Sequence, residues 1–99
     1  WDYRSASFTA VSGGAYICNT GEVGAFTITL PANPNDNDYV LIADGYGSAK
    51  TANITVGRNG QNIAGEAADL TIDSNYATLR LTYKTTPDVT SSYIGWVLV

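Results

Sequence analysis

"GAFTITLP", Gly24 to Pro31, alternates without a break. Phe26, Ile28 and Leu30 fall on one face, Thr27 and Thr29 on the other. A period of two marks a strand with one face in a core and one in water. Pro31 has no amide to give to a sheet and ends it. The same grammar extends in both directions. "ANPNDND" (Ala32 to Asp38) is a polar run of turn formers, and "YVLIAD" (Tyr39 to Asp44) is apolar on both faces, as a central strand is. A glycine-rich loop, "GYGSAKTA", leads to a short strand, "NITV" (Asn53 to Val56). In "YATLRLTYK" (Tyr76 to Lys84), Leu79, Leu81 and Tyr83 oppose Thr78, Arg80, Thr82 and Lys84. After the loop "TTPDVTSS" (Thr85 to Ser92), "YIGWVLV" (Tyr93 to Val99) closes the chain as an apolar strand. Toward the N-terminus, "ASFTAV" (Ala6 to Val11) and "GAYICN" (Gly14 to Asn19) are joined by a turn at Ser12, Gly13 and Gly14.

Apolar residues never recur at helical spacing over three turns, and only "GEAADL" (Gly65 to Leu70) could form a single helical turn. No internal repeat is visible. Short strands between regular turn signals predict an all-β protein: a single small antiparallel β-sandwich or jelly-roll-like domain over residues 7–99, with residues 1–6 as an N-terminal flank or linker. The alternation assigns Phe26, Ile28, Leu30, Val40, Ile42, Ile54, Val56, Leu79, Leu81, Ile94, Trp96 and Leu98 to the core.

The composition narrows the function classes. Ninety-nine residues make one domain. Hydrophobic residues at 44% against 14% charged exclude a disordered tail. The net charge is −4 and the five Lys and Arg are scattered singly, so no patch is built to neutralise phosphates, and nucleic acid is not an expected partner. No apolar run approaches the length of a membrane span, and no membrane insertion is expected. The single cysteine, Cys18, has no intrachain partner and reads as a small buried hydrophobe of a protein matured in a reducing cytoplasm. The chain starts at Trp1 and contains no Met, which predicts a processed product or an excerpt of a longer chain.

Histidine is absent, which removes the commonest general base, the His-activated nucleophiles and the usual zinc ligands. Catalytic residues are not expected, nor a cofactor or metal. Asp36 and Asp38 are of the type that binds calcium, but "NPNDND" lacks the spacing and terminal Glu of an EF-hand loop and reads as a solvated turn. "GYGSAK" lacks the phosphate-loop spacing. Tyr3, Tyr16, Tyr46, Tyr76 and Tyr93 lie outside the expected core. Tyr46, Tyr76 and Tyr93 are the candidates for surface or interface contacts, as sugar platforms or, more in keeping with tyrosine's strand and interface preferences, as packing groups.

The densest cluster of special residues is "NITVGRNGQNIAGEAADLTID" (Asn53 to Asp73). Asn59-Gly60 is a strong turn signal because both residues accept positive φ. Ile63 is expected to pin the loop to the core, Asn59 and Asn62 to cap unpaired backbone groups, and Arg58 to bridge to Glu66 or Asp69. Gly57, Arg58, Asn59, Gly60, Asn62 and Ile63 therefore read first as a structural loop.

These residues also carry a resemblance. "FTITLP", "DYVLIADG", "NITVGRNGQNIAG", "DLTID" and "GWVLV", in that order, resemble a small β-rich domain of tailed-bacteriophage virion proteins, found in tail fibres and other virion structural proteins, especially of marine and cyanobacterial phages. The likeness covers Ser7 to Val99. Its most specific part is "VGRNGQNIAGEAADLTID". The segment between Leu81 and Trp96 departs from it, being longer than the brief turn such a domain would carry. The resemblance implies a non-enzymatic virion module, often trimeric, made in the host cytoplasm and serving assembly, spacing or host contact. Its implied partners are copies of itself, other virion proteins and a host surface glycan. Tail-fibre domain and capsid head-fibre or decoration protein are both open, and "WDYRSAS" (Trp1 to Ser7) reads as the end of a docking segment for the latter. The alternative from another class is a carbohydrate-binding module. A depolymerase fragment would need carboxylates from outside this chain.

Overall fold

The computed structural model describes residues 1–85 and 94–99. They form ten strands: β1 (Asp2–Arg4), β2 (Phe8–Thr9), β3 (Ala15–Cys18), β4 (Phe26–Thr29), β5 (Tyr39–Asp44), β6 (Ile54–Gly57), β7 (Asn62–Ile63), β8 (Leu70–Ile72), β9 (Thr78–Lys84) and β10 (Gly95–Leu98). One sheet has the order β1-β3-β5-β9-β10-β7, the other β2-β4-β6-β8. The protein is all-β. The segment 1–6, read as a flank, supplies the edge strand β1.

From β1 to β6 the chain alternates between the sheets. Each strand pairs in parallel with the one laid down a coil earlier: β1 with β3 and β3 with β5 in the first sheet, β2 with β4 and β4 with β6 in the second. Three stacked coils result. The chain then reverses, with β8 antiparallel to β6, β9 to β5 and β10 to β9, and β7 lies parallel to β10. The antiparallel sandwich expected from the sequence is thus corrected to a mixed, largely parallel pair of sheets. The turn chemistry explains the difference. Gly13, Asn33 and Asn37 do adopt positive φ, but the turns they make are corners that carry the chain across to the other sheet. A left-handed residue announces that the chain turns, and it is silent on whether the next strand joins the same sheet.

The coils stack side chains in ladders. Phe8, Ile28, Val56 and Leu70 form one, and Phe26, Ile54 and Ile72 another. In the first sheet, Tyr16 aligns with Ile42 and Ile42 with Leu79. On the outer face of the second sheet, Thr27, Thr55 and Thr71 stack, a packing role for the threonine-rich composition. The register steps from Asp2 to Tyr16 to Ile42 and from Phe8 to Ile28 to Val56 are unequal. Loops of different length separate the coils, so a repeat in space leaves no period in the sequence.

Phe26, Ile28, Leu30, Val40, Ile42, Ile54, Val56, Leu81 and Trp96 are buried, and Leu79 and Ile94 pack partly against them. Each large apolar side chain so buried contributes about 1.5–3 kcal/mol. Leu98, expected in the core, is 47% exposed. It faces the same way as Trp96, but the second sheet ends at β8 and leaves that part of β10 uncovered. Tyr16, Cys18, Ile63, Ile72 and Tyr83 join the core instead. Gly65 to Leu70 forms turns and an isolated Ile63–Glu66 bridge, not the helical turn considered for it.

Candidate functional site

Asp44 ends β5, and its side chain is buried. Asp38 and Asp44 bracket the strand, but only Asp44 faces inward, in register with Cys18 and, beyond it, Arg4. Its Oδ2 accepts the backbone N–H of Ser48, Ala49 and Tyr76, each at 3.0 Å. Its own N–H donates to the Ala77 carbonyl at 2.9 Å. One carboxylate oxygen thereby fixes both the glycine-rich loop after β5 and the turn before β9. Thr20 adds a hydroxyl bond to Ser48 at 3.0 Å from beneath. The loop forms because Gly47, at φ 71°, takes a conformation that side chains resist.

Three tyrosines are displayed on this frame. Tyr3, Tyr46 and Tyr76 are 51%, 51% and 68% exposed. Tyr3 meets Tyr46 edge to face, with centroids 5.8 Å apart and rings at 90°. The Tyr3 hydroxyl accepts Nδ2–H of Asn19 at 3.2 Å, which holds the ring from the side. The Tyr76 ring lies on Gly47, where a Cβ would come within 2.5 Å of it. Tyr76 itself has φ 60°. For a bulky residue this left-handed conformation is an outlier and costs about 1–2 kcal/mol. The Asp44 bond to its N–H is among the contacts that hold it there.

The contact candidates are thus sorted. Tyr46 meets Tyr3, and the Tyr76 ring lies on Gly47, the residue that follows Tyr46. Tyr16, expected outside the core, is instead 2% exposed; it packs on Phe8, and its hydroxyl accepts the Val11 N–H at 2.9 Å. Tyr93 lies outside the described residues. Asp44 was missed as anything but a strand end. Its signal was an Asp followed directly by Gly-Tyr-Gly-Ser, an acceptor placed before a tight loop whose amides need one.

The loop Gly57 to Ile63 is held from within. Asn59 and Gly60 have φ 48° and 86°. Asn59 Nδ2 donates to the Leu30 carbonyl at 3.0 Å, tying the loop to the end of β4. Ile63 is buried, and Ala64 N–H donates to the Trp96 carbonyl at 2.8 Å. Asn62 pairs with Gly95 across β7 and β10. Among the described residues, Arg58 does not form the expected ion pair with Glu66 or Asp69. The guanidinium donates to the Gln61 carbonyl at 3.3 Å, and Asp69 accepts the backbone N–H of Arg58 at 2.9 Å. The acid serves as an acceptor for the turn's backbone, so the arginine turns to a carbonyl.

Elsewhere the acidic loop uses its own oxygens. Asp38 accepts from Asn35 N–H at 2.8 Å, and Asp36 accepts from Thr85 N–H at 2.9 Å and pairs with Lys84 at 3.5 Å. The Thr85 bond is the main cause that holds the Asp36 carboxyl below its ordinary range. Among the described residues, no three His, Cys, Asp or Glu side chains gather where a metal could be held. Burial, with the charge of Asp44 second, pushes the Cys18 thiol up to about 11, against a smaller opposing pull from Arg4. A thiol so placed is unreactive at neutral pH. A shallow groove of about 160 Å³ runs beside β8 and is lined by Leu70, Ile72, Leu79 and Leu98, among others.

No protein-family model matches the chain, and no curated protein matches it.

Proposed function

We propose that the chain is a non-enzymatic structural domain of a bacteriophage virion, placed in a tail fibre, where it serves assembly or host attachment as one of three copies. The observation that carries this reading is the stacking of coils. Parallel strands are bonded through their backbones, with apolar ladders inside and a threonine ladder outside, in a molecule that measures 44 × 21 × 19 Å. Such a body resists bending and displays loops at its strand ends, as a spacer or presenting module must. The ordered resemblance of its motifs to virion domains supports the same reading. A head-fibre or decoration protein would use the same body with a different anchor.

The carbohydrate-binding alternative is favoured by one observation of its own, the exposed tyrosines on the Asp44 frame. It merges with the first reading if the fibre contacts a host glycan. The test of the virion reading is particle composition. Peptides of this chain should co-sediment with capsid peptides, at fixed stoichiometry, in a density gradient of particles that carry its gene. Their absence from purified particles refutes it.

A further inference from the structure

We propose that Tyr3, Tyr46 and Tyr76 form a preorganised stacking surface for the saturated ring of a glycan. The proposal rests on the host-contact reading above and gives it a site and a ligand class.

Strain is the first argument. The turn before β9 needs a left-handed residue whose N–H reaches the buried Asp44, but Gly or Asn would adopt that backbone without strain, and Tyr76 holds it at φ 60° with an exposed ring. Outliers of this kind persist where surrounding structure over-determines them, and they cluster at ligand sites. Preorganisation is the second. The Tyr3 hydroxyl is tethered by Asn19, Tyr3 and Tyr46 brace each other, and Gly47 leaves room for the Tyr76 ring to rest on the loop. Rings already ordered in the free protein lose little entropy on binding. The third is chemistry. The electron-rich face of a tyrosine attracts positively polarised groups, and the C–H face of a sugar ring presents them. Sugar hydroxyls need donors and acceptors at the edge. Exposed Asn75, whose Oδ1 accepts the Lys50 N–H at 2.9 Å, keeps its amide N–H groups as donors beside Tyr76. Size argues against a protein partner, since a stable protein interface buries about 800 Å² on each side, far more than three tyrosine rings supply.

The test is a titration of the isolated chain, with tyrosine rings isotopically labelled for NMR. The probes are cellohexaose, maltohexaose, chitohexaose and delipidated bacterial O-polysaccharide. The rings of Tyr3, Tyr46 and Tyr76 should shift with at least one probe, while buried Tyr16 and Tyr83 hold still. Tyr46→Ala should weaken that binding by about tenfold, the loss of one hot-spot side chain. Tyr76→Asn should weaken it similarly without lowering the melting temperature, because Asn accepts the left-handed backbone. The proposal is overturned if no probe moves these rings or if Tyr76→Asn melts lower as a packing residue would. It is also overturned if the substitutions change the solution mass, which would make the surface a subunit interface. Binding by the isolated chain stands whether or not the chain is found in particles, so this result and the particle-composition result fail separately.

Discussion

Replacing Asp44 with alanine removes one oxygen on which three backbone amides converge. Ala49 N–H is buried, and those of Ser48 and Tyr76 are partly so. A hydrogen bond to a charged group contributes about 1.5–3 kcal/mol, and a buried donor left without an acceptor costs about 1–3 kcal/mol. The three bonds share one acceptor and are not additive. Water can reach the two partly buried amides once the loop loosens. Relief of the buried charge, whose Oδ1 has no hydrogen-bond partner from the protein, offsets part of the loss. The net expectation is about 3–5 kcal/mol, a large share of the roughly 5–15 kcal/mol that holds a small domain together. Urea denaturation followed by Trp96 fluorescence measures it, because Trp96 is fully buried and exposed Trp1 adds a steady background. In a thermal melt the loss appears as a drop of roughly 12–40 °C. Asp44→Asn keeps an acceptor in place without the charge and should fall between the two. A loss below about 1 kcal/mol for Asp44→Ala would show that the loop and turn are held by something else, and the reasoning would fail.

Asn59→Ala removes the bond to the Leu30 carbonyl and puts a poorly suited residue at φ 48°, so chemical denaturation should show a loss of about 1–2 kcal/mol. Arg58→Ala breaks a single longer bond at 3.3 Å and should cost less than Asn59→Ala; the opposite order would mean that Arg58 does more than brace the turn. Gly47→Ala combines a positive φ with a Cβ that meets the Tyr76 ring, and should cost about 1–2 kcal/mol while shifting the Tyr76 ring resonance. Cys18 gives a pH dependence. Its folded thiol is raised to about 11 from 9.0, so the unfolded chain releases that proton first; the stabilisation is whole below the ordinary value and is lost as pH rises through the folded one. Stability should therefore fall between these two values more steeply in the wild type than in Cys18→Ala, and equal slopes would contradict the burial of the thiol.

What was legible in the sequence followed from periodicity. Phe26, Ile28 and Leu30 had to share a face once Thr27 and Thr29 shared the other, and both sets do. Asn59-Gly60 had to turn, and does so with both residues left-handed. Strand pairing was another matter. Alternation reports which face of β3 or β4 is buried, but not which neighbour lies beside it, and Ser12-Gly13 reads the same in a hairpin and in a corner between sheets. Leu98 shows the limit from the other side. Its alternation with Trp96 is correct, yet its burial depends on whether a strand of the second sheet lies opposite, a property of topology. The pairing of Asp44 with Tyr76 was out of reach for a further reason. They are far apart along the chain, and one bond of the Asp44 carboxylate joins them.

That bond also separates the Asp44 frame from the rest of the molecule. In the coils, local preference and tertiary placement agree: β-branched residues sit in strands, and Gly and Asn take most of the left-handed corners. At the frame they disagree. A carboxylate is buried where a neutral acceptor would avoid the desolvation cost, and an exposed aromatic residue is bent into a conformation that Gly or Asn would adopt freely. The two departures hold each other up, since the carboxylate oxygen accepts the strained residue's amide. Replacing Tyr76 by a residue suited to its backbone would remove the strain and leave the three-amide frame intact. The backbone at this position therefore supplies no reason for a tyrosine, whereas the glycan surface proposed above, which presents its ring, would. Local rules tend to fail in a natural protein where function opposes them, and here they fail at two bonded residues, buried Asp44 and exposed Tyr76.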